Sequence, residues 1–246
     1  LVGTSRAHIK YVSPGSDPMR VAEFLLGVLT DPLNLALIAG TGGAGLVTLA
    51  AYLRVRPAAA DVSVMRDALQ GYRDLIPWLL RLSLGLPLVG AGFNGYLFSP
   101  VVVPENQVAI RLFGITVGFL LLFGFATRLV AGIGFATYVV GLTFEPSLAL
   151  AFEYVPGFLA IVLVGGGRPS ADQVIARLAA DDRTLYSRID PFYRRVAVPF
   201  VERIERVQAL LPTVLRAGMG VTFVYLGAAQ KLMNPGESIA VVGKYD

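Results

Sequence analysis

The amino-acid sequence predicts an all-α integral membrane protein with six transmembrane helices, and three observations point there. Only 15% of the 246 residues are charged and 55% are hydrophobic, where a soluble domain carries roughly 25% charge. The mean hydropathy is +0.65, and a lipid solvent accounts for so much apolar surface more simply than one soluble core does. Finally, the apolar residues gather into six runs separated by arginine-bearing stretches.

Taken in order, Asp17-Pro18 pairs a capping residue with a proline suited to a first helical position. Val21, Phe24, Leu25, Val28 and Leu29 then repeat at helical spacing, which predicts an interfacial helix lying on the membrane. Asp31-Pro32 repeats the start signal and opens the first span, Leu33–Leu53. The other spans are Ile76–Phe98, Val108–Phe125, Leu129–Phe144, Leu148–Gly165 and Val214–Leu232. Crossing a ~30 Å hydrocarbon layer takes roughly 20 residues, so the fourth is short. Backbone groups in lipid must pair within their own segment, so each run is read as a helix. Amphipathic helices are expected around Val62, Met65, Leu69 and Tyr72, after the cap Ser170 with Val174, Ile175 and Leu178 on one face, and around Phe200, Val201, Ile204 and Leu211.

Charge sets the expected topology. Arg54, Arg56, Arg66 and Arg73 follow the first span, Arg128 sits between spans three and four, and a run from Arg168 to Arg206 follows span five. The intervening loops, Ser99–Gln107 and Glu145–Ser147, hold no Lys or Arg. The positive-inside rule makes the arginine-rich loops cytoplasmic and puts the N-terminus outside, although the N-terminal arm carries Arg6, Lys10 and Arg20. Asp172, Asp181, Asp182, Asp190, Glu202 and Glu205 are interspersed with those arginines, so the net charge of +4 marks helices near lipid head groups, with no nucleic-acid partner expected. Arg81 and Arg216, at inner ends of spans, are expected to reach the head groups.

Several chemistries drop out. The chain has no cysteine, which removes disulfides, thiolate nucleophiles and iron–sulfur ligation. His8 is the single histidine, read as a solvated loop residue, so neither a bis-histidine haem nor a multi-histidine metal site is expected. Gly40, Gly42 and Gly45 match a dinucleotide-type glycine pattern but lie in an apolar span with no preceding strand, so no nucleotide is expected there. Gly114 and Gly118 read as a close helix–helix contact.

The most informative feature is an internal repeat. Pro77, Arg81 and Gly85 recur as Pro212, Arg216 and Gly220, a constant offset of 135 residues (212 against 77, 216 against 81). The same offset pairs Val89 with Val224, Gly92 with Gly227, Leu97 with Leu232 and Pro100 with Pro235. The expected organisation is an interfacial helix plus first span over 1–56, a four-helix repeat with amphipathic segments over 57–211, and the start of a second repeat over 212–246. The chain opens on Leu1 rather than Met and stops at Asp246 within that second repeat, so both ends are expected to belong to a longer protein.

Polar residues inside apolar spans cost free energy unless they find partners, which makes Asn94, Arg111, Glu153 and Lys231 the candidate ligand-binding residues. At ~1.5 Å of rise per residue all four fall within roughly 10 Å of the outer boundary. They can share an outward-facing polar pocket. The alternative is an Arg111–Glu153 pair with Lys231 snorkelling to the surface, which merely satisfies buried charge. No catalytic constellation and no metal site is visible.

These residues also carry a family resemblance. Arg81, Gly85 and Gly92 to Gly95 in span two, Gly124 with Thr127, Arg128, Leu129 and Ala131 before span four, and Gly165, Arg168, Ser170 and Asp172 after span five resemble the DoxX family of four-helix membrane proteins. The second copy, Arg216, Gly220, Gly227, Lys231 and Pro235, fits the family's first helix better; Tyr96 stands where that copy has Lys231. The resemblance covers Pro77–Asp172 and Pro212–Asp246, and the added N-terminal span is most like haloarchaeal members. Such proteins are similar to the small subunit of thiosulfate:quinone oxidoreductases. The resemblance thus implies a cell-membrane subunit of a redox-associated complex, with quinone as its non-covalent cofactor and other membrane subunits, or further copies of itself, as partners. The rival expectations are a structural or assembly subunit without chemistry and, less favoured, a transporter or channel.

Overall fold

The computed structural model describes residues 21–56, 59–189, 195 and 197–228. Among these residues the chain is all helical, and four helices are long and apolar enough to cross a membrane: Pro32–Val55, Arg73–Asn94, Thr127–Phe144 and Gln208–Leu226. Two further apolar runs form the shorter helices Gln107–Phe123 and Tyr154–Val164. The chain divides into two units, described separately.

One unit contains α1 (Val21–Thr30), α2 (Pro32–Val55) and α3 (Ala59–Gln70). The Asp31 carboxylate accepts from the N–H groups of Leu33 and Asn34 at 2.8 and 3.0 Å, and Pro32 takes a first-turn position where no N–H is needed. None of the residues of α2 is buried. A helix apolar all round and exposed along its length suits lipid or another membrane helix. The expected helix start at Asp17-Pro18 lies outside the described residues, as do His8, the N-terminal arm and Lys231.

The other unit is built on α4 (Ile76–Asn94), α5 (Gln107–Phe123), α6 (Thr127–Phe144) and α7 (Tyr154–Val164). α4 packs on α5, α5 on α6, α6 on α7 and α7 back on α4, so the four close into a ring. The α4–α5 seam is glycine on glycine. A Cβ on Gly92 would lie 2.6 Å from the Ile115 nitrogen, and one on Gly114 2.8 Å from the Gly92 Cα. Only glycine lets the two backbones approach so closely. Leu84, Leu88, Leu121, Tyr138, Phe158 and Ile161 fill the ring. Outside it, Leu112, Phe123 and Leu129 are exposed, an outer surface suited to a bilayer.

Several boundaries differ from the sequence expectation, each for a local reason. Span two was expected to run to Phe98. The helix stops at Asn94 because Gly95 turns left-handed (φ 79°) and its N–H closes on the carbonyls of Ala91 and Gly92. Phe98 instead folds back into the core, edge-on to Phe113, Tyr138, Tyr154 and Phe158. Span five was expected as one helix over Leu148–Gly165. It is a 3-10 segment, Pro146–Ala151, followed by the 11-residue α7. Pro156 lacks an N–H and is tolerated only in a first turn, so the α-helix begins just before it.

After the ring come α8 (Ala171–Ala180), α9 (Leu185–Ile189), α10 (Val198–Glu205) and α11 (Leu211–Leu226). The Ser170 hydroxyl accepts from Gln173 N at 3.2 Å, as its capping position predicts. Leu211, grouped by spacing with Phe200, belongs to α11, because the chain breaks into a 3-10 turn at Gln208–Leu210. α10 lies against α7, and Gly218 of α11 faces the Pro156 ring.

Candidate functional site

One polar cluster of the four-helix ring lies at the end where α4 and α6 begin and α5 and α7 finish. Two glycine turns shape that end. Gly124 stops α5 in the left-handed region (φ 68°), and a Cβ there would collide with Arg81 Nη1. Gly167 is also left-handed (φ 60°), and its Cβ would run into the Pro77 ring. No other residue type meets both demands, conformation and space.

Asp172, two residues into α8, joins the two turns. Its carboxylate accepts from Ala126 N at 2.6 Å and Thr127 N at 2.8 Å, and its own N–H donates to the Gly124 carbonyl at 2.9 Å. It therefore caps α6 from a distant part of the chain, placing negative charge at a helix N-terminus. Ser170 donates to the Gly167 carbonyl at 2.7 Å. Arg81 was expected to reach lipid head groups; it turns inward instead. It is 1% exposed, and its Nη2 donates to the Pro169 carbonyl at 2.5 Å. Arg128 Nη2 donates to the Leu163 carbonyl at 3.3 Å. Asp172 lies within electrostatic reach of both arginines, and Glu205 of Arg128.

Among the described residues, four buried atoms in this cluster have no hydrogen-bond partner: Arg81 Nε and Nη1, Thr127 Oγ1 and Arg128 Nε. Thr127 and Arg128 also line a crevice of about 470 Å³, walled by Leu129, Val164, Phe200 and Val201. The four unpartnered atoms are closed off from the crevice and from solvent, so what the cluster does is tie the ends of α5, α6 and α8 together. Among the described residues no group of three or more His, Cys, Asp or Glu side chains comes together to hold a metal ion.

Of the residues singled out for ligand binding, Asn94, Arg111 and Glu153 lie at the other end. Asn94 Nδ2 donates to Gly90 O of its own helix at 2.8 Å. Arg111 reaches across to α4, donating to Phe93 O at 2.7 Å beside Gly95. Glu153 occupies the position just before α7, where its carbonyl accepts from Gly157 N at 3.2 Å. Arg111 thus meets the end of α4 that carries Asn94. It makes no ion pair with Glu153 among the described residues, and Lys231 lies outside them. The cluster at the arginine end was missed as a site. Its signal was two glycine-rich turns, each followed by charged residues: Gly124 before Arg128, and Gly165 to Gly167 before Arg168 and Asp172.

Comparison with protein-family models, with curated proteins and with solved structures found no match in any of the three.

Proposed function

We propose that this chain is a DoxX-like polytopic subunit of a redox-associated, quinone-linked membrane complex. One observation carries the reading: Arg81, Gly124, Thr127, Ser170 and Asp172, which bear the family resemblance from separate parts of the sequence, converge on one hydrogen-bonded cluster at one end of a four-helix ring. Such convergence fits motifs that serve a common site. The six-span topology belongs to the same reading, with the arginine end cytoplasmic. α5 has 17 residues, a rise of about 26 Å at the helical pitch, close to a hydrocarbon thickness.

α11 is read as the first helix of a second repeat. Arg81, Gly85 and Gly92 are buried in α4, whereas Arg216 and Gly220 are exposed. Among the described residues nothing lies within 4 Å of a Cβ placed on Gly220 or Gly227. The face that receives α5 on α4 is open on α11.

The rival reading, an assembly subunit without chemistry, is favoured by α2, whose unburied apolar surface suits a protein partner as well as lipid. A pore through the ring is disfavoured by the large side chains that fill it. The test is purification of the full-length protein from its own membrane in mild detergent, with mass spectrometry of co-purifying chains and solvent extraction of bound quinone. The proposal expects redox-active subunits and quinone. Partners without redox centres, and no quinone, sink it in favour of the assembly reading.

A further inference from the structure

Two arginines at the start of α8 share one neutral partner. With its amide oxygen turned toward them, Gln173 Oε1 accepts from Arg177 Nη2 at 3.0 Å and from Arg168 Nε at 3.2 Å. Both arginines are exposed, and neither makes an ion pair among the described residues. Asp172 and Asp181, at the two ends of α8, do not serve them. The Asp172 oxygens accept from Ala126 and Thr127 N, and Asp181 pairs with Arg183 at 2.7 Å. Two like charges held against one amide repel each other, so an anion is the partner the pair lacks. Each guanidinium presents its donors in a fixed fork that matches the oxygens of a phosphate.

The same helix shows what kind of molecule carries that phosphate. Val174 and Leu178, 58% and 42% exposed, form the row next to Gln173 and Arg177. A basic row and an apolar row thus run side by side along α8, the pattern of a helix lying at a lipid interface. The height of α8 is fixed as well. Asp172 ties its first turn to Gly124, Ala126 and Thr127, where α5 ends and α6 begins. In a bilayer around the ring, that turn is where apolar helix gives way to head groups.

We propose that Arg168 and Arg177, held together by Gln173, bind the phosphate of an anionic phospholipid whose acyl chains lie beside Val174 and Leu178. A zwitterionic lipid brings an ammonium that leaves the paired positive charge unmet, so the site selects net negative charge. A soluble phosphate ester shares the head-group chemistry but has nothing to lay on the apolar row. The inference rests on membrane residence and is independent of the redox reading above.

The test uses the full chain in a maltoside detergent at low ionic strength, with bound lipid counted by native mass spectrometry. Dioleoylphosphatidylglycerol and dioleoylphosphatidylcholine are titrated separately and in competition. Phosphatidylglycerol should bind saturably with roughly a thirtyfold preference over phosphatidylcholine, the worth of two guanidiniums at a lipid surface. Gln173→Glu sets a carboxylate between the guanidiniums at unchanged shape, so it should keep the fold and abolish the preference. Arg168→Gln with Arg177→Gln should do the same. Arg203→Gln with Arg206→Gln removes as much charge at α10 and should leave the preference intact. Glycerophosphoglycerol, the head group without its chains, should not displace the lipid. The proposal is overturned by equal binding of the two lipids, by a preference that survives Gln173→Glu, by equal losses from the two arginine pairs, or by glycerophosphoglycerol binding as tightly as the lipid.

Discussion

Replacing Asp172 with alanine is the sharpest perturbation of the arginine end. The substitution removes two charge-assisted hydrogen bonds, at 2.6 and 2.8 Å, from the first turn of α6. It also removes a carboxylate whose field reaches Arg81 and Arg128, the first of them 1% exposed. A hydrogen bond to a charged group contributes about 1.5–3 kcal/mol, and two are lost here. These effects overlap because one carboxylate supplies both, so the expected loss is about 4 kcal/mol. At about 2–4 °C per kcal/mol for a chain of this size, Tm should fall by roughly 10 °C. Asp172→Asn keeps an acceptor oxygen for one of the two N–H groups and should lose about half as much. The assay is thermal unfolding in detergent, followed by circular dichroism at matched scan rate. If Asp172→Ala melts within about 2 °C of the parent, the carboxylate does not hold the ends of α5, α6 and α8 together and the reasoning fails.

Other consequences follow from packing. Gly114→Leu should disrupt the α4–α5 seam and abolish a cooperative thermal transition, because the added side chain meets the Gly92 backbone. Gly220→Leu, with open space around it, should leave Tm unchanged in the 246-residue chain. Tyr138→Phe strips the hydroxyl that donates to the buried Leu148 carbonyl at 2.8 Å. It should cost about 1 kcal/mol by thermal or denaturant unfolding, and no measurable change would mean that this bond contributes nothing.

Some of this fold was legible in the sequence because local chemistry decides it. Asp31-Pro32 signalled the start of α2, Ser170 that of α8, and Gly114 with Gly118 the close seam with α4. Hydropathy windows average over local backbone events, so they missed the stop at Gly95 and the break before Pro156. The candidate site was harder to read. Counting residues along an axis gives depth but not rotation or partner: it placed Asn94, Arg111 and Glu153 at one depth, but not that Arg111 bonds the Phe93 carbonyl while Asn94 bonds within its own helix. Arg81 looked like a head-group anchor because an arginine near a helix end usually snorkels. Its inward turn depends on Pro169 and Asp172, partners that the fold supplies and sequence spacing does not.

Membrane residence underlies everything above, and site-directed spin labelling tests it most directly. The chain has no cysteine, so single labels can be placed without background. Val47 and Phe123 are 70% and 68% exposed apolar positions on α2 and α5, while the Arg183 side chain is 90% exposed beside Asp181 between α8 and α9. In liposomes the account predicts that oxygen, which concentrates in lipid, relaxes labels at Val47 and Phe123 far more than a water-soluble nickel complex does, with the order reversed at Arg183. Equal access of the nickel complex to all three positions would contradict it.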